Sequence, residues 1–375
     1  MRSNFISRLA LSNFRSYERV SAEVDGAKTI VITGANGAGK TNILESISML
    51  SPGGPLRKAS LAQLGRIGGN PAVWTVYARA GERDVGVSYA YGNVVGEDEE
   101  GGRRVQIDGE AGELSALARA FKCVWLTPLM DRLFTEAGGE RRRFLDSLIA
   151  NFYPFYGEQI SQYNSILKAR ARVLKSSHPD MTWAGAHEAE IAALGVSIAA
   201  MRLEFEEKLN AILAVSEDGF PALVISVSGT VEDALRHGSA VAAEERFLKL
   251  LYDGREDFKR QAAPATPGVH RSDFSAHNLS KQIDCAQSST GEQKIAVASV
   301  LLAYAKMIHL YFSEWPLIII DEAPAHLDES RRAQLFAALE ALPSQVWLSG
   351  TSEADFEYFR GKSVRFVCVE NSNLA

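Results

Sequence analysis

Cysteine is scarce: Cys123, Cys285 and Cys368 are the three in 375 residues, far apart and never in a C-x-x-C pair. That excludes a disulfide framework and a thiolate metal site, and it fits a reducing compartment. The seven histidines do not cluster in a metal-ligand pattern either. No uninterrupted run of 18 apolar residues occurs, so no membrane span and no membrane partner are expected. Residues Met1 to Arg8 carry no apolar core followed by a small-residue cleavage site, so no secretory signal is read and the expected location is cytoplasmic. An excess of positive charge is missing too. The formal net charge is −6, which argues against a nucleic-acid coat over the whole surface and leaves room for a local basic face. The length allows two domains or one large one with a sizeable core.

What is present organises itself around Gly34-Ala35-Asn36-Gly37-Ala38-Gly39-Lys40-Thr41. The apolar run Thr29-Ile30-Val31-Ile32-Thr33 precedes it, and the amphipathic Asn42-Ile43-Leu44-Glu45-Ser46-Ile47 follows. Strand, glycine loop and helix in this order make the G-x-x-x-x-G-K-T pattern a P-loop. Glycines let several N–H groups converge on one point, and the helix adds the positive end of its dipole. In such a loop Lys40 reaches the β- and γ-phosphates of ATP, and the Thr41 hydroxyl holds Mg²⁺.

Along the chain, partial alternation over 5–14 predicts a half-buried strand, and a second is expected near Val20–Val24, turning at Asp25-Gly26. A short helical patch is expected near Leu56–Leu64. Residues 72–109 read as β, with a hairpin at Gly81-Glu82-Arg83-Asp84 and an exposed acidic turn at Gly96-Glu97-Asp98-Glu99-Glu100-Gly101-Gly102. Val124-Trp125-Leu126 is a short strand. From Glu140 to about Leu213 the period becomes helical. One stripe holds Tyr156, Ile160, Tyr163, Ile166, Leu167, Val173 and Leu174, and another Ile191, Leu194, Ile198, Met201, Phe205, Leu209 and Ile212. The break at Ser176-Ser177-His178-Pro179-Asp180 makes them an antiparallel helix pair, too short in periodicity for a long coiled coil. The first helix is basic, with Arg141, Arg142, Arg143, Lys168, Arg170, Arg172 and Lys175. It is either a solvated face or a phosphate contact. A strand at Leu223–Val227, a helix over Glu244–Gln261 and a linker at Ala263-Pro264-Ala265-Thr266-Pro267 follow.

Pro316-Leu317-Ile318-Ile319-Ile320-Asp321-Glu322 is an apolar run ending in two acids, as suits a strand buried on both faces of a parallel sheet with its acids at the ligand end. With a P-loop it reads as a Walker B: Asp321 for Mg²⁺, Glu322 to orient or deprotonate the attacking water. About 280 residues separate Lys40 from Asp321, so a large insertion divides the site. Ser289-Thr290-Gly291-Glu292 opens a helix just before the Walker B and offers a hydroxyl, a close backbone approach and a helix dipole to a γ-phosphate. The same residues are ordinary N-cap chemistry. P-loop, then S-x-G-[QE], then Asp-Glu is the order found in ABC-type ATPases, where the signature serine completes the site of a second protomer. Ala325-His326-Leu327-Asp328 stands at the D-loop position. Val346-Trp347-Leu348-Ser349 leads to Gly350-Thr351-Ser352, where the switch residue falls.

Together these features resemble the RecF family of bacterial recombination-repair ATPases, related to SMC heads. The resemblance also rests on Leu11-Ser12-Asn13-Phe14-Arg15-Ser16-Tyr17, on Leu126-Thr127-Pro128, and on Arg141-Arg142-Arg143-Phe144-Leu145-Asp146. It continues in Tyr163–Arg170 and in Gly268-Val269-His270-Arg271-Ser272-Asp273-Phe274, where Val269 and Ser272 depart from the family's pattern. The loop Ser51–Arg57 matches poorly. The resemblance implies an α/β P-loop NTPase of ABC/SMC-head type. Residues 1–139 would be the first half of the ATPase domain with a β-rich subdomain, 140–262 an inserted mainly helical lobe, and 263–375 the second half. ATP and Mg²⁺ would be held by residues 34–42, with Thr41 and Asp321 on the metal and Lys40 and Glu322 catalytic. Ser289, Gly291 and Glu292 would act across an ATP-gated homodimer. The partners implied are single-stranded and gapped or junction DNA, RecO and RecR, and through them RecA. A transporter subunit carries its signature closer to the P-loop, an SMC-type head adds long heptad arms, and a nucleotide-binding scaffold dispenses with catalytic acids. This sequence departs from each.

Overall fold

The computed structural model describes residues 4–24, 26–66, 68–69, 73–90, 102–215, 219–256, 266–370 and 373–374. The acidic turn at 96–101, Asp25, the far end of the helix expected to reach Gln261, and Ala263-Pro264-Ala265 of the linker lie outside these residues.

In chain order the first elements are β1 (Ile6–Phe14), β2 (Tyr17–Glu23), β3 (Thr29–Thr33), α1 (Lys40–Ser48), β4 (Val73–Ala80), β5 (Arg83–Ala90), β6 (Arg103–Ile107), β7 (Glu110–Gly112), α2 (Leu114–Ala120) and β8 (Cys123–Leu126). Then come α3 (Gly138–Phe152), α4 (Tyr156–Lys175), α5 (Met181–Leu213), β9 (Leu223–Ser228), α6 (Thr230–Arg236) and α7 (Ala240–Asp253). The last are β10 (Asp273–Asn278), β11 (Ile283–Asp284), α8 (Thr290–Phe312), β12 (Leu317–Ile320), α9 (Glu329–Ala341), β13 (Val346–Ser349), β14 (Val364–Glu370) and β15 (Asn373–Leu374).

The central sheet runs β15-β14-β3-β13-β12-β8, parallel from β14 to β8. Its strands explain the continuous apolar runs, because successive side chains feed two different cores. Val31, Val124, Leu126, Ile318, Ile320, Val346 and Leu348 join a core with α3, α5, α8 and α9. Ile30, Ile32, Trp125, Leu317, Ile319 and Trp347 join a core with α1 and the antiparallel sheet β2-β1-β4-β5-β6-β7. Each such side chain contributes about 1.5–3 kcal/mol by burial. Since the strands are parallel, the residues following β3, β8, β12 and β13 emerge at one edge, where open α/β sheets bind ligands.

The basic stretch expected as one helix is two, α3 and α4, interrupted at Tyr153–Phe155, where Pro154 cannot continue the backbone bonding. The helix pair is α4 with α5, which Asp180 caps by accepting from the Thr182 and Trp183 amides. Only a 3₁₀ turn at Leu61–Leu64 forms in the expected patch over 56–64. The pairing of β9 with β10, which pairs in turn with β11, ties the segment 140–262 to the C-terminal part of the chain. By length and composition α8 could cross a membrane, although its run is not uninterrupted; 72% of its most apolar stretch is buried as the central helix of the core.

Candidate nucleotide-binding site

The loop after β3 turns on Gly34 (φ 147°) and Gly39 (φ 116°). A Cβ on Gly34 would stand 2.4 Å from the Val369 carbonyl oxygen, and one on Gly39 2.6 Å from Tyr17 Oη. Both the backbone angle and the crowding therefore require glycine. Tyr17 Oη donates to the Gly39 carbonyl at 3.2 Å, and burial pushes its pKa up, which keeps it a donor. Ala35, Asn36 and Gly37 form the exposed crest. No side chain caps α1, so its first N–H groups remain directed at the space under the loop.

Lys40 is 6% exposed and donates Nζ to the carbonyls of Gly34 (2.7 Å) and Ala35 (2.9 Å). Thr41 Oγ1 donates to Asp321 Oδ1 at 3.1 Å, which brings residues 280 positions apart into contact. Ser349 Oγ donates to the same Asp321 oxygen at 2.6 Å and accepts from the Glu322 amide at 2.9 Å. Asp321 is buried, whereas the Glu322 side chain is exposed and its backbone is left-handed (φ 50°). An uncapped helix start, a lysine resting on loop carbonyls and a hydroxyl–carboxylate pair fit a triphosphate with a divalent cation.

Asn42 Nδ2 donates to Ser16 Oγ at 2.9 Å, and Arg57 Nη2 donates to Asn42 Oδ1 at 2.6 Å. Arg15 and Arg57 both hold the buried Glu45 carboxylate. The Arg15-Ser16-Tyr17 part of the first-strand motif thus braces the P-loop and α1. Arg57 reaches the same helix from a loop whose sequence pointed to no role.

The signature residues sit apart. Ser289 is exposed at the start of α8, and Glu292 accepts from its amide at 3.1 Å. Glu292 also accepts from Lys281 (2.6 Å) and Arg331 (3.5 Å), and Lys281 above all holds its pKa down to about 2. A Cβ on Gly291 would lie 3.0 Å from the His326 carbonyl. Among the described residues, no hydrogen bond or ion pair joins Ser289, Gly291 or Glu292 to residues 34–42.

Several participants were not legible beforehand. Ser349 touches Asp321 one residue before the expected switch position. Asp131 and Lys294 form a buried ion pair beneath the Walker B turn. Lys294 had one signal, a charge directly before the apolar run of α8. The motifs at 141–146 and 268–274 meet: Arg141 grips Asp273 with Nε and Nη2 (2.7 and 2.6 Å), and Arg142 donates to the Ser272 carbonyl. Arg170 is buried against Glu188. Of the basic set, Arg143, Lys168, Arg172 and Lys175 stay largely in solvent, Arg143 paired with Glu140.

A profile of the RecF/RecN/SMC N terminal domain matches residues 5–360. The DNA replication and repair protein RecF of Mesorhizobium japonicum is 38% identical over 372 residues, 98% of this chain and 97% of the relative. Its counterpart from Rhizobium meliloti is 36% identical over 376 residues, 99% and 98% of the two. The structure of the recombination mediator protein RecF-ATPrS in the RecFOR pathway superposes with a TM-score of 0.80 at 20% identity, over 99% of this chain and 97% of that one. The RecF-ATP structure gives 0.76 at 20% identity over the same shares. At that identity the two structures speak for the fold, an ABC-type ATPase head. The profile and the relatives, running through both halves of the divided site, show that the chain belongs to the RecF family.

Proposed function

We propose that this protein is an ATP-gated, DNA-binding ATPase of replication and recombinational repair. It would bind ATP and Mg²⁺, dimerise on them, engage DNA at single-strand gaps and junctions, and work with RecO and RecR to promote RecA loading. The observation that carries this reading is the Thr41–Asp321–Ser349 contact, which joins the two separated motifs into one corner of a kind that suits a divalent cation. The names of the relatives support the DNA-repair context.

Bound ATP supplies the phosphoryl group to be transferred, and Mg²⁺ the positive charge its oxygens need. The amides after Gly37 and the dipole of α1 bind negative charge. Lys40 Nζ exchanges the Gly34 and Ala35 carbonyls for phosphate oxygens. Thr41 Oγ1 and Asp321 Oδ1 would hold the cation, with Ser349 Oγ orienting Asp321. The exposed Glu322 carboxylate orients a water and takes its proton. Ser289 Oγ and the Gly291 amide of a second copy close the far side, while Glu292 stays with its cap and its cations.

Light scattering with size exclusion tests this with no nucleotide, ADP or ATP–Mg²⁺, each with and without gapped duplex. The mass should double only with ATP, DNA should co-elute with the doubled species, and Glu322→Gln should hold that species longer than wild type. A constant monomer that ignores ATP and DNA would sink the reading. Glu322→Gln turning over ATP at the wild-type rate would remove the assigned base.

A further inference from the structure

Lys294 is fully buried, in the second turn of α8. Its Nζ lies 3.3 Å from Asp131 Oδ2 and donates to the Ala325 carbonyl at 2.8 Å and the Glu322 carbonyl at 3.2 Å. Asp131, 1% exposed, follows β8; its Oδ2 also meets His326 Nδ1 at 2.9 Å, and its Oδ1 has no partner among the described residues. Both Glu322 (φ 50°) and His326 (φ 60°) are left-handed, a conformation that persists only where the surroundings hold it. The signature end is fastened to the same assembly. Arg132 Nε donates to Thr290 Oγ1 at 3.0 Å, and Gly291 packs on the His326 carbonyl.

We propose that the Asp131–Lys294 pair is a positioning device: it fixes the backbone of Glu322 and ties it to the seating of the Ser289–Gly291 turn on a second copy. This rests on the proposed function. One helix carries both the exposed Ser289 and, five residues on, the ammonium holding the Glu322 turn, so displacing the start of α8 moves the carbonyl that Lys294 grips. A position that only had to be filled would take an aliphatic side chain, as the following residues of α8 do, because burying an ammonium is costly. That burial lowers the pKa of Lys294, and Asp131 works against it. The ion pair sets where Glu322 stands, and Lys294 touches no reacting atom.

The full-length chain carrying Asp131→Asn with Lys294→Met tests this, since the pair is removed without stranding a charge. Lys294→Arg is the conservative control. Without nucleotide, amide hydrogen exchange over 321–328 should be about tenfold faster in the double variant, with 34–42 unchanged. In ATP turnover, kcat should fall about tenfold or more while KM for ATP stays within about twofold, and Lys294→Arg should recover part of the loss. Unchanged exchange over 321–328, unchanged kcat, or a uniform rise in exchange across the core would each overturn the proposal. A wild-type protein that turns over no ATP would sink the proposed function instead, and the exchange comparison would still decide whether Lys294 holds the turn.

Discussion

Arg202 and Lys40 are both buried cations, 0% and 6% exposed, and their surroundings are built in opposite ways. Arg202 in α5 spends its whole fork inside the chain. Nε donates to Tyr156 Oη, Nη2 to Asp146 Oδ1, and Nη1 to Glu232 Oε1 and the Val269 carbonyl. Burial works against its charge, but Asp146, Tyr156 and Glu232 more than offset it, and its pKa rises. Lys40 has no carboxylate partner among its hydrogen bonds, which go to two carbonyls of its own loop, beside a helix start without a cap and an exposed Glu322. A polar cluster closed on itself fixes geometry; one whose donors end at open space is arranged for a ligand.

Breaking the closed cluster should have the largest effect. Arg202→Met leaves Asp146 and Glu232 short of their cation and should cost about 3–5 kcal/mol. Denaturant unfolding measures this, and a loss under about 1 kcal/mol would mean the network is not what joins α5 to α3 and α6. At the open cluster the effect should appear in the ligand rather than in stability. Ser349→Ala removes the hydroxyl between Asp321 and the Glu322 amide, and should weaken Mg²⁺-dependent nucleotide binding about 10–100-fold with little change in the unfolding midpoint. Equal titrations for variant and wild type would leave Ser349 a bystander.

The same contrast explains what could be read in advance. Gly34 to Thr41 and Leu317 to Glu322 were legible because backbone geometry and double-sided burial dictate residue type over a contiguous stretch. The charges of residues 140–262 were not. Arg141 and Arg170 look as solvent-facing in sequence as Lys168 and Arg172, because the carboxylates that hold them, Asp273 and Glu188, lie 132 and 18 residues away. Asp131 and Ser349 are illegible for the same reason: Asp131 acquires its role from Lys294 on α8, and Ser349 from Asp321, which follows the neighbouring β12.

Within the basic set, the exposed side chains Lys168, Arg172 and Lys175 of α4 are where a DNA contact is expected. Replacing the three with alanine should weaken binding of gapped duplex and flatten its salt dependence, by about one unit of log–log slope for each side chain that meets a phosphate. An unchanged slope would place the contact elsewhere, and the exposed face of α4 would be only solvated.

The smallest effect belongs to His270, which packs against Tyr163 of α4. Its Nδ1 lies 3.0 Å from Tyr163 Oη, and burial, reinforced by Arg271 and Arg142, pushes its pKa from 6.5 down to about 4. The fold therefore favours the neutral ring. Above pH 6.5 neither the folded nor the unfolded chain protonates it, and its environment carries no penalty. Between 6.5 and about 4 the unfolded chain takes up a proton that the folded chain refuses, so stability should fall as the pH falls through that window. His270→Gln keeps a polar partner for Tyr163 without the titration, and should flatten the slope of unfolding free energy against pH there. Parallel slopes for the two proteins would show that the ring is hydrated well enough to titrate normally.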